Sequence, residues 1–172
     1  MPREIEVLLS KEQIDARVAE LALRIDAECG DGEMVVVGVL KGSFIFMADL
    51  VRHLKRQLTC DFIRVSSYDK DRSTGIVRME FDLTQPVGGK NVLLVEDIVD
   101  TGTTLRHLLK HLETKRPASL KVCSLLFKDM GTDSRKLIDY LGFEVPRRYV
   151  IGYGLDSDGL YRSLPYVGAF KE

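Results

Sequence analysis

Val92-Leu93-Leu94-Val95-Glu96-Asp97-Ile98-Val99-Asp100-Thr101-Gly102-Thr103-Thr104-Leu105 is an apolar, β-branched run that ends in acids and turns through small residues into a helical pattern. A strand buried on both faces of a parallel sheet reads as such a continuous Val/Ile/Leu run, and ligands of open α/β sheets sit outside the carboxyl ends of the strands. Glu96, Asp97 and Asp100 fall at that end. The loop Thr101 to Thr104 has the hydroxyls and the glycine needed to wrap backbone N–H groups around a phosphate at a helix N-terminus. Acids followed by a phosphate cradle imply a phosphorylated sugar as ligand. The two common nucleotide loops do not fit: the Gly89-Lys90 pair is followed by Asn91 rather than Ser or Thr, and no Gly-x-Gly-x-x-Gly occurs.

Outward from this strand the chain alternates strand and helix. Ser10 with Gln13 is a capping-box signal, and Ile14, Val18, Leu21, Ala22 and Ile25 recur at helical spacing until Gly30. Met34 to Leu40 reads as a strand, Lys41-Gly42 as a tight turn and Phe44 to Leu58 as a helix. Asp61 to Ser67 reads as a strand, Tyr68 to Gly75 as a polar loop expected to be mobile, and Ile76 to Leu83 as extended. After the central strand come a helix from Thr103 to about Thr114, carrying Leu105, Leu108, Leu109 and Leu112, and a buried strand from Leu120 to Phe127. Ser134 to Leu141 reads as a short helix, and Arg148 to Leu155 as a strand-like, aromatic and glycine-rich stretch. The expected fold is α/β: a doubly wound, mainly parallel sheet with flanking helices. A small C-terminal hood should cap the site. One domain over 1–172 is expected, with its core at about 30–128 and the hood built from about 129–172 with the N-terminal segment.

Composition narrows the function. The 172 residues carry a net charge of −1 with 30% charged and 45% hydrophobic side chains. There is no basic field to suggest nucleic acid and no acidic bias to suggest disorder, so a small-molecule substrate fits better. No apolar run approaches the roughly 20 residues that cross a bilayer, and no secretory leader is evident. Neither a nucleic acid nor a membrane is expected as a partner, and a cytoplasmic protein is expected. Cys29, Cys60 and Cys123 lack metal or CxxC spacing and read as buried thiols. His107 and His111 are four apart on a helix but have no third ligand nearby, so they read as part of a solvated face.

The segment Asp100 to Thr104 fits, at each specified position, the loop that binds phosphoribosyl pyrophosphate (PRPP) in the type I phosphoribosyltransferases, and the chain resembles the hypoxanthine-guanine branch of that family. The resemblance implies that Glu96 and Asp97 hold the ribose hydroxyls and, with Asp156, the cofactor Mg²⁺. It implies that Thr101, Gly102, Thr103 and Thr104 hold the 5′-phosphate, and that Asp100, near N7 of the base, does general acid/base work. Val39-Leu40-Lys41-Gly42-Ser43 looks like the pyrophosphate loop, whose peptide bond before Lys41 can be cis. Ser124 to Lys128 is similar to the strand whose lysine donates to the 6-oxo group of the purine. Tyr149-Val150-Ile151-Gly152-Tyr153-Gly154-Leu155-Asp156, with Arg162, resembles the hood. There Tyr149 would stack on the base, Val150 would meet its edge through backbone groups, Leu155 would join the purine site and Arg162 would bind pyrophosphate. Ser67-Tyr68 resembles the pair that closes over the reacting centre. The activity implied is transfer of the phosphoribosyl group of PRPP to N9 of a 6-oxopurine by a homo-oligomer, dimer or tetramer. A regulator using the same fold to bind nucleotide or RNA, and an enzyme preferring xanthine, are the competing readings.

Overall fold

The central run does become a strand, Asn91–Val99, and the strand it pairs with, Met34–Leu40, is equally apolar. In this computed structural model, which describes residues 4–67 and 77–171, the elements run Ile5–Leu9 (β1), Lys11–Glu28 (α1), Met34–Leu40 (β2), Phe44–His53 (α2), Leu58–Ser67 (β3), Val77–Phe81 (β4), Asn91–Val99 (β5), Thr103–Glu113 (α3), Ser119–Lys128 (β6), Tyr140–Val145 (β7), Val150–Ile151 (β8) and Val167–Phe170 (β9). The main sheet has the order β4-β3-β2-β5-β6-β7. Its neighbours are parallel except for β4, which runs antiparallel to β3.

Alternation along the strands gives each face its own core. Val36, Leu93, Val95, Cys123 and Leu125 pack with Ile14, Val18, Leu21, Phe46 and Leu50 of α1 and α2. Val35, Val37, Val92, Leu94 and Val122 pack with Leu105, Leu108 and Leu112 of α3. The sheet is thus covered on both faces, as expected of doubly wound folds. From β2 the chain winds outward to β3, and from β5 it winds the other way to β6. The crevice between the carboxyl ends of β2 and β5 is the topological switch point, where such sheets bind ligands.

Several elements differ from expectation. The helix after the Lys41-Gly42 turn stops at His53, not Leu58: Leu54 is extended, Asp26 accepts from the Lys55 N–H at 2.9 Å, and Arg56 binds the Gly30 and Cys29 carbonyls. Ser134–Leu137 is only a 3₁₀ turn, and Tyr140–Val145 is a strand beside β6. Its sheet-edge carbonyls at Leu141 and Gly142 are taken by the Arg17 guanidinium of α1. A second sheet, β1-β9-β8, joins the first strand to the last two. Of the cysteines only Cys123 is buried, and Cys60 is exposed. His111 is not simply solvated: its Nε2 lies 3.0 Å from Asp82 Oδ2, which also accepts from Lys115 Nζ. The expected lid, Tyr68 to Gly75, and the side chain of Ser67 lie outside the described residues.

Candidate active site

The carboxyl ends of β2, β5 and β6 bring Lys41, Glu96 to Asp100 and Lys128 to one edge of the sheet. A cleft of about 460 Å³ opens there, lined by Lys41, Gly42, Glu96, Asp97, Asp100, Gly102, Thr104, Asp156 and Arg162. Beside it lies a second hollow of about 250 Å³, lined by Lys128, Tyr149, Val150 and Leu155. Asp97, Ile98, Asp100 and Asp156 line both. Two subsites are therefore joined along one wall.

The acid pair is held in an electrostatically unfavourable place. Glu96 is buried, makes no ion pair, and accepts no hydrogen bond among the described residues. Burial, then the charges of Asp97 and Asp100, push its carboxyl well above the usual range. Asp97 is pushed up to about 6, again mainly by burial, against the opposing effects of the Ile98 N–H, its own amide and the Arg162 charge. Folded proteins avoid such groups unless a ligand or cation completes them.

Around the acids the backbone is built for anions. Gly102 caps α3 in the left-handed region (φ 79), and no side chain caps the first turn, leaving its N–H groups for a ligand. Thr101 and Thr103 stand beside it with their hydroxyls 3.3 Å apart. On the other wall the Leu40–Lys41 peptide is cis. Gly42 is obligatory: a Cβ there would stand 1.5 Å from Asp97 Oδ2. The turn around Gly154 (φ 101) meets this loop closely too, since a Cβ there would stand 2.1 Å from the Gly42 carbonyl oxygen. Arg162 donates to the Gly154 carbonyl at 2.6 Å and pairs with Asp156 at 2.7 Å. Tyr149 is largely exposed, and its hydroxyl donates to the Asp156 carbonyl at 2.8 Å.

Mg²⁺ binds through one or two carboxylates, substrate phosphates and retained waters rather than through an all-protein cage. The hard oxygens of Glu96 and of Asp97, whose Oδ1 accepts only from the Ile98 N–H at 2.8 Å, fit that donor set. Asp156 is already engaged, with one carboxylate oxygen on Arg162 and the other accepting from the Gly159 N–H at 2.7 Å. Among the described residues no cluster of three or more acids, histidines or cysteines forms a closed metal cage.

Two contributors carried no signal in the sequence. Ser134, fully buried in the 3₁₀ turn, donates its hydroxyl to the Asp100 carbonyl at 2.6 Å. Arg106 donates to the Thr101 carbonyl and pairs with Asp133. Together they tie the loop to the 3₁₀ turn, Ser134 to Asp100 across 34 positions and Arg106 to Asp133 across 27, separations that no local pattern encodes.

A model of the phosphoribosyl transferase domain matches residues 5–158. The hypoxanthine-guanine-xanthine phosphoribosyltransferase of Tritrichomonas foetus is 44% identical over 167 residues, 96% of this chain and 91% of that protein. The hypoxanthine-guanine phosphoribosyltransferase of Bacillus subtilis is 42% identical over 173 residues, 99% of this chain and 96% of its own length. A crystal structure of a hypoxanthine-guanine phosphoribosyltransferase from Bacillus anthracis superposes with a TM-score of 0.92 at 42% identity, covering 98% of this chain and all of that one.

Proposed function

We propose, for a chain that belongs to the phosphoribosyl transferase family, that it is a purine salvage enzyme. It transfers the 5-phosphoribosyl group of PRPP to N9 of hypoxanthine, guanine or both, giving the nucleoside 5′-monophosphate and pyrophosphate. The observation that carries this reading is the pair of adjoining hollows: a cleft lined by the acids and the loop before α3 shares a wall with a smaller hollow lined by Lys128 and Tyr149. Sugar phosphate in the first and base in the second would meet beside Asp100.

In the reaction the N9–C1′ bond forms as the C1′–oxygen bond to pyrophosphate breaks, with inversion at C1′. The N-terminus of α3 and Thr101 to Thr104 hold the 5′-phosphate, and Glu96 and Asp97 hold the ribose hydroxyls. Carboxylate charge beneath the sugar stabilises developing oxocarbenium character. Lys41 and Arg162 take the pyrophosphate. When bound, Mg²⁺ offsets the charge of the leaving group and of the acid pair. Asp100 accepts the proton the purine sheds. Tyr149 stacks on the base, and the backbone of Val150 with Leu155 lines its edge. A cytoplasmic homo-oligomer, dimer or tetramer, belongs to the same reading.

Steady-state kinetics with PRPP, Mg²⁺ and each of hypoxanthine, guanine and xanthine test the reading. Turnover of hypoxanthine or guanine is expected, and no turnover of any 6-oxopurine would refute it. Xanthine as the best substrate would favour the xanthine-preferring alternative.

Lys128→Ala is expected to raise the KM for the purine by about tenfold to a hundredfold, the equivalent of losing a charge-assisted hydrogen bond worth about 1.5–3 kcal/mol. The KM for PRPP should change little, because Lys128 lines the smaller hollow alone. Equal losses for both substrates would contradict this assignment.

A further inference from the structure

Tyr153 has a part in the site that stacking, proton transfer and phosphate binding leave unassigned. It lies between Gly152 (φ 93) and Gly154 (φ 101) with its own φ at 49, a conformation uncommon for an aromatic residue. Its ring is buried, and its hydroxyl donates to Asp49 Oδ2 on α2 at 2.5 Å. Burial pushes the phenol far above its ordinary range, followed by the bond to Asp49, so it stays a donor. Arg52, one turn further along α2, holds the other oxygen of Asp49.

Both ends of this bond lead into the cleft. The α2 helix begins directly after Lys41-Gly42-Ser43, so Asp49 is rigidly connected to the loop. Tyr153 belongs to a hairpin-like turn closed by Tyr153 N–H to the Leu164 carbonyl and Gly154 N–H to the Arg162 carbonyl, both at 2.9 Å. That turn carries Asp156 and Arg162. The same turn approaches the loop at Gly154, where an added Cβ would stand 2.1 Å from the Gly42 carbonyl oxygen.

We infer that the Tyr153–Asp49 hydrogen bond is a latch fixing where Arg162 and Asp156 stand over the Lys41-Gly42 loop, which makes Tyr153 and Asp49 positioning residues for the pyrophosphate half of the site. The inference rests on the assignment of that half to pyrophosphate. A latch remote from the base should act on one substrate and not the other, because misplacing a binding group costs affinity only for what that group binds.

The test compares wild type with Tyr153→Phe, Asp49→Ala and Asp49→Asn. Removing the hydroxyl or its acceptor should raise the KM for PRPP about tenfold, with the KM for hypoxanthine within about twofold of wild type. Asp49→Asn keeps an acceptor and should stay close to wild type. Tyr153→Phe combined with Asp49→Ala should be no worse than either alone, since one bond is lost in each. A purely structural role would lower the thermal midpoint and the active fraction while leaving both KM values unchanged, and that result in Asp49→Ala would overturn the inference even if Tyr153→Phe failed to fold. So would an equal rise in both KM values. An inactive wild type would instead refute the assignment of function, leaving the two failures distinct.

Discussion

Asp100→Asn is expected to lower kcat by roughly 10²–10⁴-fold, the range for losing a positioned general acid/base, while the protein stays folded. The aspartate lines both hollows, and only its Oδ1 is engaged, accepting from the Thr101 N–H at 2.5 Å and meeting the Thr101 hydroxyl at 3.4 Å. Oδ2 has no partner among the described residues and faces no packing demand on an exposed side chain. Asparagine keeps the Oδ1 acceptor and hence the loop, but its amide cannot take a proton from the purine. A single-turnover measurement, in which chemistry limits the rate, reads the effect directly. Near-wild-type turnover there would remove Asp100 from proton transfer.

The second large effect has opposite signs for stability and activity. Glu96→Gln should stabilise the ligand-free protein at pH 8 and cut kcat/KM for PRPP by about tenfold to a hundredfold, as loss of a charged hydrogen-bond partner does. The sign follows from proton binding. Both acids have folded pKa values raised above their unfolded ones, so the native state holds more protons and stability falls as pH rises. Well below the unfolded values of 3.8 for Asp97 and 4.5 for Glu96 both are protonated in either state and no penalty exists. The penalty grows from the unfolded values upward; for Asp97 it is complete once pH passes about 6, and for Glu96 once pH passes its own raised value. Thermal midpoints of the two proteins, measured without metal from pH 4 to 8, should therefore agree at the acid end and diverge above it. Curves that stay parallel across the range would show that Glu96 carries no such penalty. This is the pattern of a site that trades stability for binding.

What the sequence revealed and what it concealed divide by the range of the interactions. The β2 and β5 runs, the α1 capping box and the acids before Thr101-Gly102 are local patterns, and the structure contains each where it was expected. The box is complete in space, with Ser10 and Gln13 exchanging both bonds. Strand β7 was misread because Tyr140 to Val145 is too short for its period to outweigh the helical look of Ser134 to Leu141. Its identity comes from β6 and from Arg17, distant partners that leave no mark nearby. The overlong second helix has the same cause: Asp26 and the Cys29 and Gly30 carbonyls, contributed from α1 and the turn after it, bind Lys55 and Arg56 and draw the chain out of the helix. In the site, residues of distinctive chemistry were legible, while Ser134, Arg106 and Asp49 were not. Their value lies in where their hydrogen bonds go, and a serine or an aspartate on a helix looks the same whether it faces water or a catalytic loop.

The pairing of Ile5 with Phe170 has a consequence for how the molecule is made. The six-stranded sheet draws only on residues between Met34 and Val145, so its winding can proceed as the chain emerges from the ribosome, each strand finding neighbours already synthesised. The first strand, by contrast, must wait for the last. Until then β1 is an unpaired edge and the acids of β5 stand uncovered beside an open crevice. This contact of extreme sequence separation can close only after the main sheet's strands are all available, which places the β1–β9 pairing late in folding.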